Sequence, residues 1–270
     1  MTAIHSSETL VERMLREARW AGKDAYPAHA EYYVELEELL GFIQSQNRLD
    51  SFWPRLTSPR PQERDDALQE MRVARFLTAK GFPVVQWEPP GNGNFIGEFT
   101  VQAVPNPVFV EIKSPGWEGQ LSQGQRGAGR AKQEKYQGIE GGADDPWRAI
   151  RKSVTKAYPK FPPTQPSLLV IADDRFMPLA TWGRLGAEQA LFLTSTALDG
   201  EPGYFTTRQV ENLGGVALFK AELPVGKGLE YTFLLYPNPM ARTETTLPAV
   251  FVEAFRNAKA AAVVCMGAQD

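Results

Sequence analysis

An α/β fold built on a mixed sheet is the class this sequence predicts, and three observations predict it. A charged stretch with helical patterning over 63–80 precedes three strand-like runs, FPVVQWE (82–88), NFIGEFTVQAV (94–104) and PVFVEIKS (107–114), separated by the turn residues PPGNGN and PNP. A further helix is expected over 146–160. After it comes SLLVIA (167–172), a wholly apolar run of the kind that fills the buried centre of a sheet. The resulting order is αβββαβ.

Each element has its own signal. Residues 8–20 and 28–46 place Leu10, Met14 and Leu15, then Tyr32, Leu36, Leu39, Leu40 and Ile43, at helical spacing, with Tyr26-Pro27 between them. They predict a helical N-terminal extension over 1–56. LTSPRPQ (56–62) reads as a linker and helix start, with Ser58 as a candidate cap and Glu63, Asp65 and Asp66 in the first turn, where the helix dipole favours acids. Gly81 and Pro83 mark the exit of that helix. The Gly/Gln/Lys-rich stretch 115–145 has no apolar period and reads as a loop with a short helix near 130–137. A helix near 183–191 is followed by two strands, 214–223 and 229–239, which form a hairpin around Pro224–Gly228. The tail after 245 predicts one more helix, so the boundaries fall at 1–56, 57–245 and 246–270.

Composition excludes several kinds of chemistry. Cys265 is the one cysteine, and His5 and His29 are the only histidines, which argues against a disulfide framework, a Cys-rich zinc site and a Ser-His triad. Metal ligands in such a chain would be mostly carboxylates, and hard oxygen donors favour Mg²⁺ or Mn²⁺. No apolar leader stands at the N-terminus and no run suits a bilayer span, so a cytoplasmic protein is expected. The net charge is −3, yet Lys113 to Lys160 holds ten Lys/Arg against five acids. That local surplus of +5 fits a phosphate-facing surface, or equally a solvated helix and loop.

The chemistry concentrates on PVFVEIKS. Residues two apart in a strand share a face, so Val108, Val110 and Ile112 line one side while Phe109, Glu111 and Lys113 line the other. Glu98, in FIGEFTV on the hairpin partner, is expected beside Glu111. A divalent cation between the carboxylates would explain charges in a partly dry site. Glu70 shares a helix stripe with Ala74 and Leu77 toward the sheet. The alternative is that Glu111 and Lys113 form an ordinary surface ion pair. GNGN (91–94) lacks the following Lys-Ser/Thr of a phosphate loop and reads as a turn. Trp117, Trp147 and Trp182 are candidates for stacking on bases, though tryptophans more often pack inside.

The order αβββαβ, with Glu70, Gly97-Glu98-Phe99 and Glu111-Ile112-Lys113-Ser114 on it, resembles the PD-(D/E)XK (restriction-endonuclease-like) nucleases over about 63–175. The resemblance implies a restriction-endonuclease-like core and Mg²⁺-dependent (or Mn²⁺-dependent) phosphodiester hydrolysis. Glu98 and Glu111 would be metal ligands together with the Ile112 carbonyl. Lys113 would act on the attacking water and the developing charge, and Glu70 would support a water on the metal or a second metal. Lys156, with Lys152 one turn earlier, is the candidate for phosphate contact. Glu98 stands where these nucleases usually carry aspartate, one methylene shorter. The expected partner is nucleic acid, DNA in the first instance, in a defence or DNA-processing role. A homodimer or a protein partner could use the N-terminal helices. Two other readings are a catalytically silent member acting as an interaction module and a structural subunit of a larger complex.

Overall fold

The computed structural model describes residues 8–18, 30–114, 146–172, 184–194, 202–222 and 229–256. Several sequence-based expectations lie outside the described residues: the loop and short helix over 115–145, Trp117, Trp182, His5, His29, the turn Pro224–Gly228 and Cys265. Among the described residues the chain is a mixed α/β fold with a six-stranded open sheet and seven helices.

Three helices come first: α1 (Leu10–Glu17), α2 (Ala30–Ser45) and α3 (Leu49–Leu56). Thr9 and Glu12 cap α1 reciprocally, each side chain bonding the other's backbone N–H. The long helix α4 (Pro61–Ala79) follows, then the strands β1 (Val84–Trp87), β2 (Phe99–Val101) and β3 (Val108–Lys113). Helix α5 (Pro146–Ala157) leads through a 3-10 turn (Tyr158–Lys160) to β4 (Ser167–Ala172). A short helix α6 (Arg184–Ala187) and irregular turns precede β5 (Gly215–Glu222) and β6 (Glu230–Pro237), and α7 (Ala249–Arg256) ends the described chain. The order αβββαβ is thus present as α4-β1-β2-β3-α5-β4.

The sheet runs β1-β2-β3-β4-β5-β6. Its first three strands form an antiparallel meander, β3 to β4 and β4 to β5 are parallel, and β5–β6 is an antiparallel hairpin. Every residue of β4 is buried, as a continuous apolar run between two parallel neighbours should be. One face carries Phe99, Val101, Val108, Val110, Val170, Phe219 and Phe233, packed against α4 and α7. The opposite face carries Phe109, Leu169, Ile171, Val216 and Leu218, packed against α5 and the turns after β4. The alternation expected along PVFVEIKS therefore holds, with Glu111 and Lys113 on the α5 side.

Helices α1–α3 are joined closely to this core. Ala67, Leu68 and Met71 of α4 pack against Leu36, Leu39, Leu40, Phe52 and Leu56, so α4 is covered on both sides. A helix buried all round must satisfy its polar side chains internally. Arg72 donates to Glu35 of α2 at 2.8 and 2.7 Å, Tyr231 of β6 donates to the same carboxylate, and Arg75 pairs with Glu38. The sequence reading differs from the structure at two places here. Helix α3 forms in a stretch read only as part of the extension. Ser58 does not cap α4, which begins at Pro61; its hydroxyl accepts from Arg60 N–H and donates to Glu63.

Candidate active site

The site forms where β2 and β3 meet the end of α5. The pairing of β2 with β3 ends at Phe99↔Val110, and Glu98, one residue before it, is close enough to Glu111 to feel its charge. The Glu98 N–H donates to Val110 at 3.2 Å and its carbonyl accepts from Glu88 at 2.9 Å, which holds the strand through its one irregular end. Gly97 is required beside it: a Cβ there would lie 2.2 Å from the Phe109 ring. The Gly-Glu-Phe sequence thus lets β2 pass over Phe109 and present Glu98 next to Glu111.

Glu111 is fully buried. Its Oε1 accepts from Lys113 at 2.5 Å and forms an ion pair with Lys160 at 2.6 Å. Its Oε2 is buried and has no hydrogen-bond partner among the described residues. Burial works against the Lys113 ammonium, but the charge and hydrogen bond of Glu111, with Glu98 and Asp66 behind them, hold it above the ordinary lysine value. Burial first, then the charges of Glu70 and Glu111, push the Glu98 carboxyl up to about 8, with Lys160 and Lys113 opposing. A carboxyl so displaced, facing a second carboxylate with a bare oxygen, is short of positive charge.

A second acidic group borders the first. Glu70 of α4 is buried, and Arg55 of α3 donates to both of its oxygens, at 2.6 and 2.5 Å. That hydrogen bonding, reinforced by the charges of Glu70, Glu98 and Asp66, raises Arg55 above its ordinary value despite its burial. Asp66, one turn before Glu70, is raised by burial and accepts from Gln62 at 2.7 Å. Gln62 also reaches the Ser114 carbonyl, at 3.4 Å, tying the start of α4 to the end of β3.

The structure therefore brings together Glu98, Glu111 and Lys113, with Glu70 close enough to act on Glu98 through its charge. Lys152 and Lys156 are exposed on α5, and the basic residue that enters the site is Lys160. Trp147, at the start of α5, points into the core rather than being displayed. Lys160, Arg55 and Asp66 were not singled out by spacing. Lys160 continues the Lys152, Lys156 stripe in sequence, and that stripe was the one available signal.

Among the described residues no group of three or more His, Cys, Asp or Glu side chains is arranged to hold a metal ion. Two neighbouring carboxylates, one with a buried oxygen unpartnered among the described residues, are nevertheless the hard donors that Mg²⁺ or Mn²⁺ would take. Among the described residues no helix is long and apolar enough to cross a membrane. No family model, no curated protein and no solved structure matches the chain. The likeness to PD-(D/E)XK nucleases rests on the element order and on the residues above.

Proposed function

We propose that this chain is a divalent-metal-dependent nuclease with a restriction-endonuclease-like core, hydrolysing phosphodiester bonds of nucleic acid, DNA in the first instance. The observation that carries the reading is the closeness of half-buried Glu98 to Glu111, whose buried Oε2 lacks a partner among the described residues while two lysines converge on its Oε1. Glu98, Glu111 and the Ile112 carbonyl would hold Mg²⁺ or Mn²⁺. Bound there, the cation supplies Lewis-acid activation of water and neutralises charge on the phosphate.

The chain's own residues do the rest. Lys113, held charged by Glu111, acts as a fixed positive group toward the water and the developing anionic oxygens rather than as a base. Glu111 is placed by the parallel pairing of β3 with β4, where it stands against Leu169, one residue beyond the end of the β2 pairing. Arg55 occupies both oxygens of Glu70, so Glu70 acts on the site through its charge on Glu98. Exposed Lys152 and Lys156 extend the positive surface alongside for nucleic-acid backbone.

A catalytically silent interaction module is the second reading, and one observation favours it. The two lysines already neutralise Glu111, as an ion pair replacing a metal would. A crystal soaked with Mn²⁺ separates the two. Anomalous density between Glu98 and Glu111 supports the nuclease; an unchanged lysine–Glu111 cluster with no density supports the silent module.

A further inference from the structure

Lys160 reaches Glu111 from the last residue of the short 3-10 turn after α5, and something must hold it there. Its own segment is short: α5 ends at Ala157, and Pro159 lies in the 3-10 turn that follows. The restraint comes from the β1–β2 hairpin. Asn92 N–H donates to the Lys160 carbonyl at 2.9 Å, and Asn92 Nδ2 donates to the Pro159 carbonyl at 3.3 Å. Gly91 makes this approach possible, because a Cβ at that position would lie 2.5 Å from the Lys160 carbonyl oxygen. Gly91 N–H in turn donates to Phe95 at 2.8 Å, closing the turn from its own side. On the other flank Phe161 is buried edge-on against Phe109, two residues before Glu111, with ring centroids 6.0 Å apart. Lys160 is clamped between a glycine turn and an aromatic contact on the very strand it serves.

We propose that the Gly91–Asn92 turn is the positioning element for Lys160, and that it sets how strongly the Lys160 ammonium competes with a cation for Glu111. The second half rests on the metal-dependent reading; the first does not. The ammonium lies 2.6 Å from Glu111 Oε1, so it opposes a cation on that carboxylate by direct like-charge repulsion. Among the described residues the hydrogen bonds of Gly91 and Asn92 run to Phe95, Lys160 and Pro159, not to Glu111. Their influence passes through Lys160.

Two measurements on the full chain test this. The first is metal-free: acylation of lysine amines in chelator, read residue by residue by mass spectrometry. Lys160 should be protected in the wild type and become several-fold more reactive in Gly91→Ala, in Asn92→Ala and in Glu111→Gln. Asn92 is exposed, so Asn92→Ala keeps the test sound if Gly91→Ala fails to fold. Unchanged protection in folded Asn92→Ala and Gly91→Ala overturns the positioning role. The second is calorimetric titration with Mn²⁺ alone. Lys160→Gln should bind roughly tenfold tighter, by removal of a like charge at contact distance. Gly91→Ala should shift affinity the same way and add nothing in the Lys160→Gln background. Additive effects, or weaker Mn²⁺ binding in Lys160→Gln, overturn the competition. A wild type that binds no Mn²⁺ overturns the metal reading and the competition with it, while the acylation result still decides the role of the turn.

Discussion

Glu98, just before β2, lies within the field of Glu111 on β3, and Glu98 bears the electrostatic cost. Burial and then the charges of Glu70 and Glu111 push its carboxyl up to about 8. A folded-state value above the ordinary 4.5 means that the folded chain binds more protons than the unfolded chain between those limits. In chelator, the stability contributed by protonated Glu98 is therefore full at acidic pH and lost as pH rises through about 8. Urea denaturation across this range should show wild type losing more stability than Glu98→Gln. Added Mn²⁺ should stabilise wild type more above this range than below it, because the cation takes the ionised form. A wild type that gains stability relative to Glu98→Gln as pH rises contradicts the pairing.

Lys113 should matter to turnover and not to metal retention. It touches Glu111 Oε1, leaving Oε2 to a cation. Lys113→Ala should lower the cleavage rate by roughly 10²–10³-fold, the range for removing a preorganised charge-stabilising group, with Mn²⁺ affinity undiminished. Calorimetry and single-turnover cleavage check the two halves separately. Loss of Mn²⁺ binding in Lys113→Ala would assign the lysine a structural role instead.

Arg55 and Glu70 form a two-bond pair between α3 and the candidate site. Arg55→Ala leaves a buried carboxylate without its partner and should cost about 1–3 kcal/mol in chemical denaturation. Adding Glu70→Gln should recover part of that loss, since the stranded charge is gone. A double variant less stable than Arg55→Ala would show that Glu70 is held mainly by other groups.

The Arg72–Glu35 pair, with Tyr231 on the same carboxylate, is the buried link between α2, α4 and β6. Arg72→Ala should destabilise by about 3–5 kcal/mol, the usual result of removing one member of a buried pair. Replacing Glu35, Arg72 and Tyr231 together by Leu, Met and Phe should cost far less. Thermal unfolding of the two variants measures the difference.

The strand-borne half of the site was legible because strand alternation is a strict period of two. Glu111 and Lys113 could be assigned a face from PVFVEIKS alone, and the short PNP connection brought Glu98 to them. The helix-borne half was not legible in the same way. A helix to 160 would have kept Lys160 on the exposed stripe of Lys152 and Lys156. The chain instead tightens into a 3-10 turn at Tyr158-Pro159, which turns Lys160 off that stripe toward Glu111. Arg55 escaped notice because LDSFWPRL is short and carries Pro54, which obscures a helical pattern. Strand β2 covers only Phe99–Val101 of its apolar run, and Gly97 and Glu98 lie outside the ladder, with the Phe109 ring packed against Gly97.

The most direct measurement is cleavage of plasmid, linear duplex, single-stranded DNA and RNA by purified wild type and Glu111→Gln, each with Mg²⁺, Mn²⁺ or chelator. A nuclease centred on Glu98 and Glu111 cleaves at least one of these substrates with Mg²⁺ or Mn²⁺, stops in chelator, and is inactive as Glu111→Gln while that variant stays folded. Cleavage that persists in chelator or in Glu111→Gln, or no cleavage of any substrate by wild type with either metal, contradicts it.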